Sequence, residues 1–211
     1  MGLYADGIFP LVMDWLLGKE AFARLRTDLL APVSGKVLEV GFGTGLNLPC
    51  YGKGVTDLHV IDPARLLPER VSQRIAAVAF PVHVVRLDAE TLPFDERQFD
   101  NVVSTWTLCT IADPVRALRE VWRVLKPAGR FHFLEHGRSA DRGVAAWQDR
   151  LNPIQQVIGC GCNLNRPIDR FLSQAGLVIG NLDRFQMDGV PRIVGEMYRG
   201  WAGPSGSASF Q

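Results

Sequence analysis

What the chain lacks narrows its class. The apolar stretch 8–17 (IFPLVMDWLL) is broken by Pro10 and Asp14 and covers about half the length a bilayer-spanning helix needs, and no secretory pattern precedes it. A polybasic run is missing too. The 23 Lys and Arg interleave with 22 Asp and Glu for a formal net charge of +1, which argues against a nucleic-acid partner or an anionic membrane surface. Four cysteines in 211 residues are too few and too poorly spaced for a disulfide framework and point to a reducing, cytoplasmic setting. Met1-Gly2 begins like a myristoylation signal, but position 6 is Asp6 rather than Ser or Thr. No internal repeat is present. Low complexity is confined to 203–209 (GPSGSAS), so 203–211 is expected to form a flexible tail.

What is there reads as one soluble domain over 1–202. Short apolar runs at 36–40 (KVLEV), 58–61 (LHVI), 82–87 (VHVVRL), 100–105 (DNVVST) and 130–135 (RFHFLE) read as strands separated by helical patterns. The clearest helix is 113–126. Asp113 caps it, Pro114 suits its first turn, Pro127 and Gly129 end it, and Ala117, Leu118, Val121, Trp122 and Leu125 share one face. Two extended stretches, 177–185 and 190–201, flank Asp188-Gly189, a hairpin signal. The expected fold is therefore α/β: a doubly wound, Rossmann-like, mostly parallel seven-stranded sheet closed by an antiparallel hairpin. The segment 1–30 is expected to be a helical cap or lid. A weak peripheral membrane contact is the alternative reading of its apolar part.

The stretch 37–45 (VLEVGFGTG) places Gly41, Gly43 and Gly45 directly after the first strand, where backbone can turn sharply and approach a ligand. The dinucleotide pattern G-x-G-x-x-G fails because Leu46 holds its last position. That speaks against a nicotinamide-dependent oxidoreductase. Glu39 lies two residues before the first glycine, where a carboxylate suits a cationic amino-acid group better than a pyrophosphate. Asp62 ends the second strand, a position from which a carboxylate can take both hydroxyls of a ribose. Asp88-Ala89 ends the third, with an acceptor for an exocyclic purine amine beside an apolar neighbour. Three acids ending three successive strands line one crevice.

These motifs, with 99–131 (FDNVVSTWTLCTIADPVRALREVWRVLKPAGRF), resemble class I S-adenosylmethionine-dependent methyltransferases over roughly 37–198. The family usually carries Lys-Pro-Gly-Gly where this chain has KPAG, with Ala128. The resemblance implies that the loop Gly41, Gly43 and Gly45 holds S-adenosylmethionine, the product being S-adenosylhomocysteine. Glu39 would then lie near the methionine amino group, Asp62 on the ribose, Asp88 and Ala89 at the adenine, and Thr105 near the methionine part.

A narrower resemblance rests on 133–139 (FLEHGRS), Trp147, Pro153, Ile158-Gly159 and Gly161-Cys162-x-Leu164-x-Arg166. It is to the small thiol S-methyltransferases of the animal endoplasmic-reticulum type and their bacterial relatives. Those animal enzymes carry a hydrophobic N-terminal anchor, and this chain has only the short apolar segment. The implied partner is a small-molecule acceptor, most simply a thiol, with an N- or O-methyltransferase of a lipid, quinone or secondary metabolite as the rival. A donor-binding protein without catalysis is the remote third reading.

The acceptor side is expected to include His136 as the proton-accepting base and Arg166 as an acceptor contact. Phe9, Trp106 and Trp147 would be apolar walls, and Tyr4 would close over the donor's carboxylate. Residues 159–166 (GCGCNLNR) hold Cys160 and Cys162 as C-x-C, without a second pair at zinc spacing and with Cys50 and Cys109 far off in sequence. A redox pair would more typically be C-x-x-C. The stretch is read as a tight turn or a pocket wall, and no metal is expected.

Overall fold

A computed structural model describes residues 4–64 and 67–204. Its sheet is built around β1 (Gly35–Val40), which pairs in parallel with β2 (Val55–Ile61) on one side and with a strand over Phe99–Thr105 on the other. With β3 (Val82–Val85) beyond β2, that neighbour is β4, and β5 (Leu125–His136) lies parallel beyond it. The last two strands, β6 (Leu177–Gln186) and β7 (Glu196–Pro204), pair antiparallel, and β7 runs antiparallel against β5. The order β3-β2-β1-β4-β5-β7-β6 is the expected doubly wound sheet closed by a hairpin.

The α-helices of the described residues are α1 (Phe9–Leu17), α2 (Glu20–Leu30), α3 (Pro68–Ala76), α4 (Pro114–Val124), α5 (Arg142–Ile158) and α6 (Ile168–Gln174). Alternation along β1 explains the layering. Val37 packs on one face with Leu29 and Leu30 of α2. Leu38 and Val40 pack on the other with Leu118 and Val121 of α4 and with Ile168 and Leu172 of α6. Asp113 caps α4 as expected, accepting from the Arg116 amide at 3.0 Å.

Several expected boundaries shift. The helix predicted over 113–126 stops at Val124, because Leu125 already pairs with Phe99, and the Lys-Pro-Ala-Gly segment is carried inside β5 across an irregular register. Trp122, at the edge of the α4 stripe, is 43% exposed, and Val124 is buried. The strand predicted over 82–87 ends at Val85. The hairpin's second strand begins at Glu196 rather than 190. Pro191 has no amide to give a ladder, and Met187 N to Gly195 O (2.8 Å) closes the intervening loop instead. Gly203 and Pro204, expected in the tail, are the buried end of β7. The rest of that tail, 205–211, lies outside the described residues.

Candidate active site

The parallel strands β1 to β5 all end at one edge of the sheet. A cavity of about 860 Å³ opens there, across the point where the strand order reverses between β1 and β4. The loop after β1 forms its floor. Gly41 has φ +78°, and a Cβ on it would fall 2.0 Å from the Thr107 hydroxyl, so the close approach of the β1 and β4 loops requires glycine. Gly43 has φ +58° and nothing within 4 Å of a Cβ position, and it lines the cavity. Gly45 shapes the turn behind this wall without lining it.

Asp62 lines the cavity. Its Oδ2 accepts from the Gly43 amide at 2.7 Å and its Oδ1 from the Ala64 amide at 2.8 Å, so the carboxylate also fixes the glycine loop. Burial pushes its pKa up against those two hydrogen bonds. Asp88, Ala89 and Thr105 line the cavity as well.

Glu39 lies one layer back. It is fully buried and outside the cavity wall, accepting from Tyr51 Oη at 2.7 Å and from Asn47 Nδ2 at 3.0 Å. Asn47, which sequence reasoning missed, is the wall residue and also donates to Thr105 Oγ1 at 3.0 Å. Glu39 thus stands behind Asn47 rather than on the cavity wall. Burial raises the Glu39 pKa to about 7, with the Tyr51 and Asn47 hydrogen bonds opposing.

The N-terminal helices close the top. Phe9, Pro10, Met13 and Leu17 of α1 supply apolar wall. Asp14 of α1 is tied down by Arg70 Nη1 and Arg74 Nη1, each at 2.6 Å, and by Thr44 Oγ1 at 2.5 Å. Burial works to raise its pKa, but these bonds outweigh it and hold the carboxyl at about 2. Arg26 of α2 was also missed. It is buried and lines the cavity, donates from Nη1 to Leu17 O at 2.7 Å, and leaves its Nε without a partner among the described residues. Desolvation lowers its pKa to about 10.

The far end of the cavity holds His136, Cys109, Cys160 and Cys162. His136 Nε2 lies 3.1 Å from Cys162 Sγ, and its Nδ1 is buried without a partner. Cys109, remote in sequence, is brought against both by the loop after β4. Three groups hold that loop. Glu135 accepts from Ser104 Oγ (2.7 Å), Thr107 N (2.9 Å) and Leu108 N (3.1 Å). Asn163 donates to Cys109 O from its amide at 3.0 Å and from Nδ2 at 2.9 Å. Arg166 Nη1 donates to Leu108 O and Ile111 O, both at 2.6 Å. Arg166 is thus a loop clamp and does not line the cavity, which corrects its expected role as an acceptor contact.

The expected aromatic walls divide. Phe9 and Trp106 line the cavity, and Trp106 does so with φ +50°, a conformation rare for so bulky a residue. Trp147 is 55% exposed on α5, away from the cavity. Tyr4 is also outside it. Its hydroxyl donates to Ile158 O at 2.6 Å, joining the N-terminal segment to the end of α5.

A glycine floor, an acid at a strand end and a helical roof over the reversal point define the class of doubly wound domains that bind a nucleoside-bearing donor. Comparison with known proteins narrows that class. Residues 38–133 match the methyltransferase domain family. Human thiol S-methyltransferase TMT1A is 34% identical over 163 residues, 74% of this chain and 66% of the relative. This chain thus spans just under two thirds of that relative's length. Phosphatidylethanolamine N-methyltransferase of Cereibacter sphaeroides is 31% identical over 152 residues, 70% of this chain and 74% of the relative. The solved structure of a geranyl diphosphate methyltransferase in complex with S-adenosylmethionine superposes with a TM-score of 0.65 at 13% identity, over 87% of this chain and 84% of that one. The chain belongs to the S-adenosylmethionine-dependent methyltransferases, and S-adenosylmethionine is its cofactor. The residues fit that donor: the unpartnered Arg26 Nε suits the amino-acid carboxylate, and Asp62 keeps lone pairs free for hydroxyls.

Proposed function

We propose that this protein S-methylates a small-molecule thiol. When bound, the cofactor supplies a methyl group activated by its sulfonium. On this reading Asp62 takes the ribose hydroxyls, Asp88 and Ala89 the adenine, and Arg26 the carboxylate. Asn47, charged from behind by Glu39, takes the amino group beside Thr105. The helices α1 and α2 act as the lid, excluding water from the aligned reactants.

The observation that carries the acceptor reading is the character of the far end of the cavity. His136 and Cys162 stand 3.1 Å apart there beside Cys109, with Ile111 nearby and apolar α1 side chains across the opening. Glu39 and Glu135 are buried in hydrogen bonds and outside the wall, so neither is offered as a firm base. A thiol, ionising at about 8.5, needs only modest help of the kind His136 gives; a phenol or amine needs more. The likeness to the human thiol S-methyltransferase supports the same choice. Among the described residues no disulfide joins the cysteines, and a reducing, cytoplasmic setting is part of this proposal.

A second reading, a lipid or quinone acceptor, is favoured by one observation. Leu11, Val12 and Trp15 are exposed on α1, other residues of which line the cavity, and Ile154, Val157 and Ile158 are exposed on α5, which ends beside the lining residue Gly159. Among the described residues no helix is long and apolar enough to cross a membrane. The test is formation of S-adenosylhomocysteine with a panel of alkyl and aryl thiols, phenols, amines and phosphatidylethanolamine vesicles. Turnover with thiols alone supports the first reading, and turnover with vesicles but no thiol replaces it with the second.

A further inference from the structure

Cys109, His136 and Cys162 come from three elements, the loop after β4, the end of β5 and the turn after α5, and meet at one end of the cavity. One ligand-capable atom from each lies within 4.8 Å of the others. We propose that these three side chains form a Zn(II) site whose fourth position is left to the sulfur of the acceptor. The inference rests on the thiol reading above and deepens it.

The donor set is that of a borderline-soft divalent ion: two sulfurs and one imidazole nitrogen, with no carboxylate in the group. Three protein ligands with an open fourth position are the pattern of a catalytic zinc, whereas a structural site is closed by four. Tetrahedral zinc with bonds of about 2.0–2.3 Å separates its ligand atoms by about 3.5–3.8 Å. His136 Nε2 and Cys162 Sγ at 3.1 Å need to move apart by only about half an ångström.

The scaffold is already rigid. Glu135, the neighbour of His136, holds the amides of Thr107 and Leu108. Asn163, the neighbour of Cys162, holds the carbonyl of Cys109, and Arg166 holds the carbonyls on either side of it at Leu108 and Ile111. Cys109 is thus braced by the residues beside the other two ligands. His136 also keeps one buried ring nitrogen that no described residue satisfies.

The arrangement gives the acceptor's proton a route that does not depend on His136 as a base. The thiol binds zinc as a thiolate and its proton passes to solvent. The thiolate sulfur then bonds to the donor methyl carbon while the carbon–sulfonium bond breaks. That electron pair stays on the sulfur of S-adenosylhomocysteine. The product thioether, a poorer zinc ligand, leaves.

The test begins with reduced protein stripped by a chelator and titrated with Zn(II) against a chromophoric competitor, and with Co(II) to read thiolate-to-cobalt charge transfer. One equivalent should bind in the wild type and in Cys50→Ser. Affinity should fall more than about 100-fold in Cys109→Ser and Cys162→Ser. Because those substitutions also alter packing, the wild type alone supplies a second reading: stripped protein should methylate thiols at least tenfold more slowly and recover with Zn(II). Absence of stoichiometric binding, or undiminished thiol turnover in stripped protein, overturns the zinc site and leaves S-methylation standing. Turnover with phenols or amines but with no thiol, metal-loaded or not, overturns both.

Discussion

The guanidinium of Arg26 lies 4.6 Å over the ring of Trp106, on the wall of the donor cavity. Each residue is unusual in itself, one a buried cation with an unpartnered Nε and the other a tryptophan at positive φ. Together they present a desolvated, oriented positive charge, suited to a carboxylate.

Arg26→Ala should therefore weaken binding of S-adenosylhomocysteine by about 10- to 100-fold, the range of a charge-assisted hydrogen bond. Titration calorimetry reads it. 5′-Methylthioadenosine, which lacks the carboxylate, should bind the variant and the wild type alike. Equal losses for both ligands would move Arg26 from ligand contact to scaffold.

Asp62→Ala has the opposite signature. The carboxylate is assigned to the ribose and also holds the Gly43 amide. Both ligands should lose affinity, by about tenfold or more. Unaltered binding of 5′-methylthioadenosine would remove the ribose assignment.

Donor affinity should fall with pH below about 7, where Glu39 takes up a proton. Its raised pKa means the carboxylate that attracts the donor ammonium is present above that value and lost beneath it. The loss is at most tenfold per pH unit. The ammonium itself, at about 7.7–8.0, stays mostly charged from pH 5.5 to 7.5. Tyr51 donates to the Glu39 carboxylate and favours its ionised form, so Tyr51→Phe should move the midpoint upward. Glu39→Gln should flatten the profile, and a pH dependence that survives that change would assign it elsewhere.

Glu135→Ala leaves the amides of Thr107 and Leu108 and the Ser104 hydroxyl without their buried acceptor. A cost of at least about 2 kcal/mol follows, or a fall in Tm of about 4–8 °C. Glu135→Gln keeps an acceptor for the two amides and should cost less. Thermal unfolding compares the two.

Asp14 is the tie between α1 and the body of the domain. Asp14→Ala should release α1, seen as faster limited proteolysis within 9–18 and faster donor dissociation. In the wild type the tie should persist in acid until pH falls toward about 2. The depressed pKa keeps the carboxylate ionised below the usual 3.8. Proteolysis of the variant at the wild-type rate would remove α1 from the closing role.

Much of the fold was legible because its signals are local. Glycines after a strand, acids at strand ends and a capped, proline-bounded helix each announce themselves within a few residues. The same holds for Asp62, Asp88 and Thr105 as wall residues. The failures share a physical cause. Arg166 reads as a free cation until two backbone carbonyls 55 and 58 residues away claim it. Glu39 reads as a ligand contact until Asn47 and Tyr51 cover it. Cys109 has no sequence partner at metal spacing, and only the loop after β4 brings it to Cys162 and His136. Arg26 carries no motif at all. A buried arginine in an amphipathic helix is visible only once the helix has been docked.

S-methylation is separated from N-methylation within one molecule that offers both kinds of nucleophile. 4-Aminothiophenol incubated with protein and donor carrying an isotopically labelled methyl group gives products that fragmentation mass spectrometry separates. Label is expected on sulfur alone, as 4-(methylthio)aniline. Label on nitrogen with the thiol left free would contradict it.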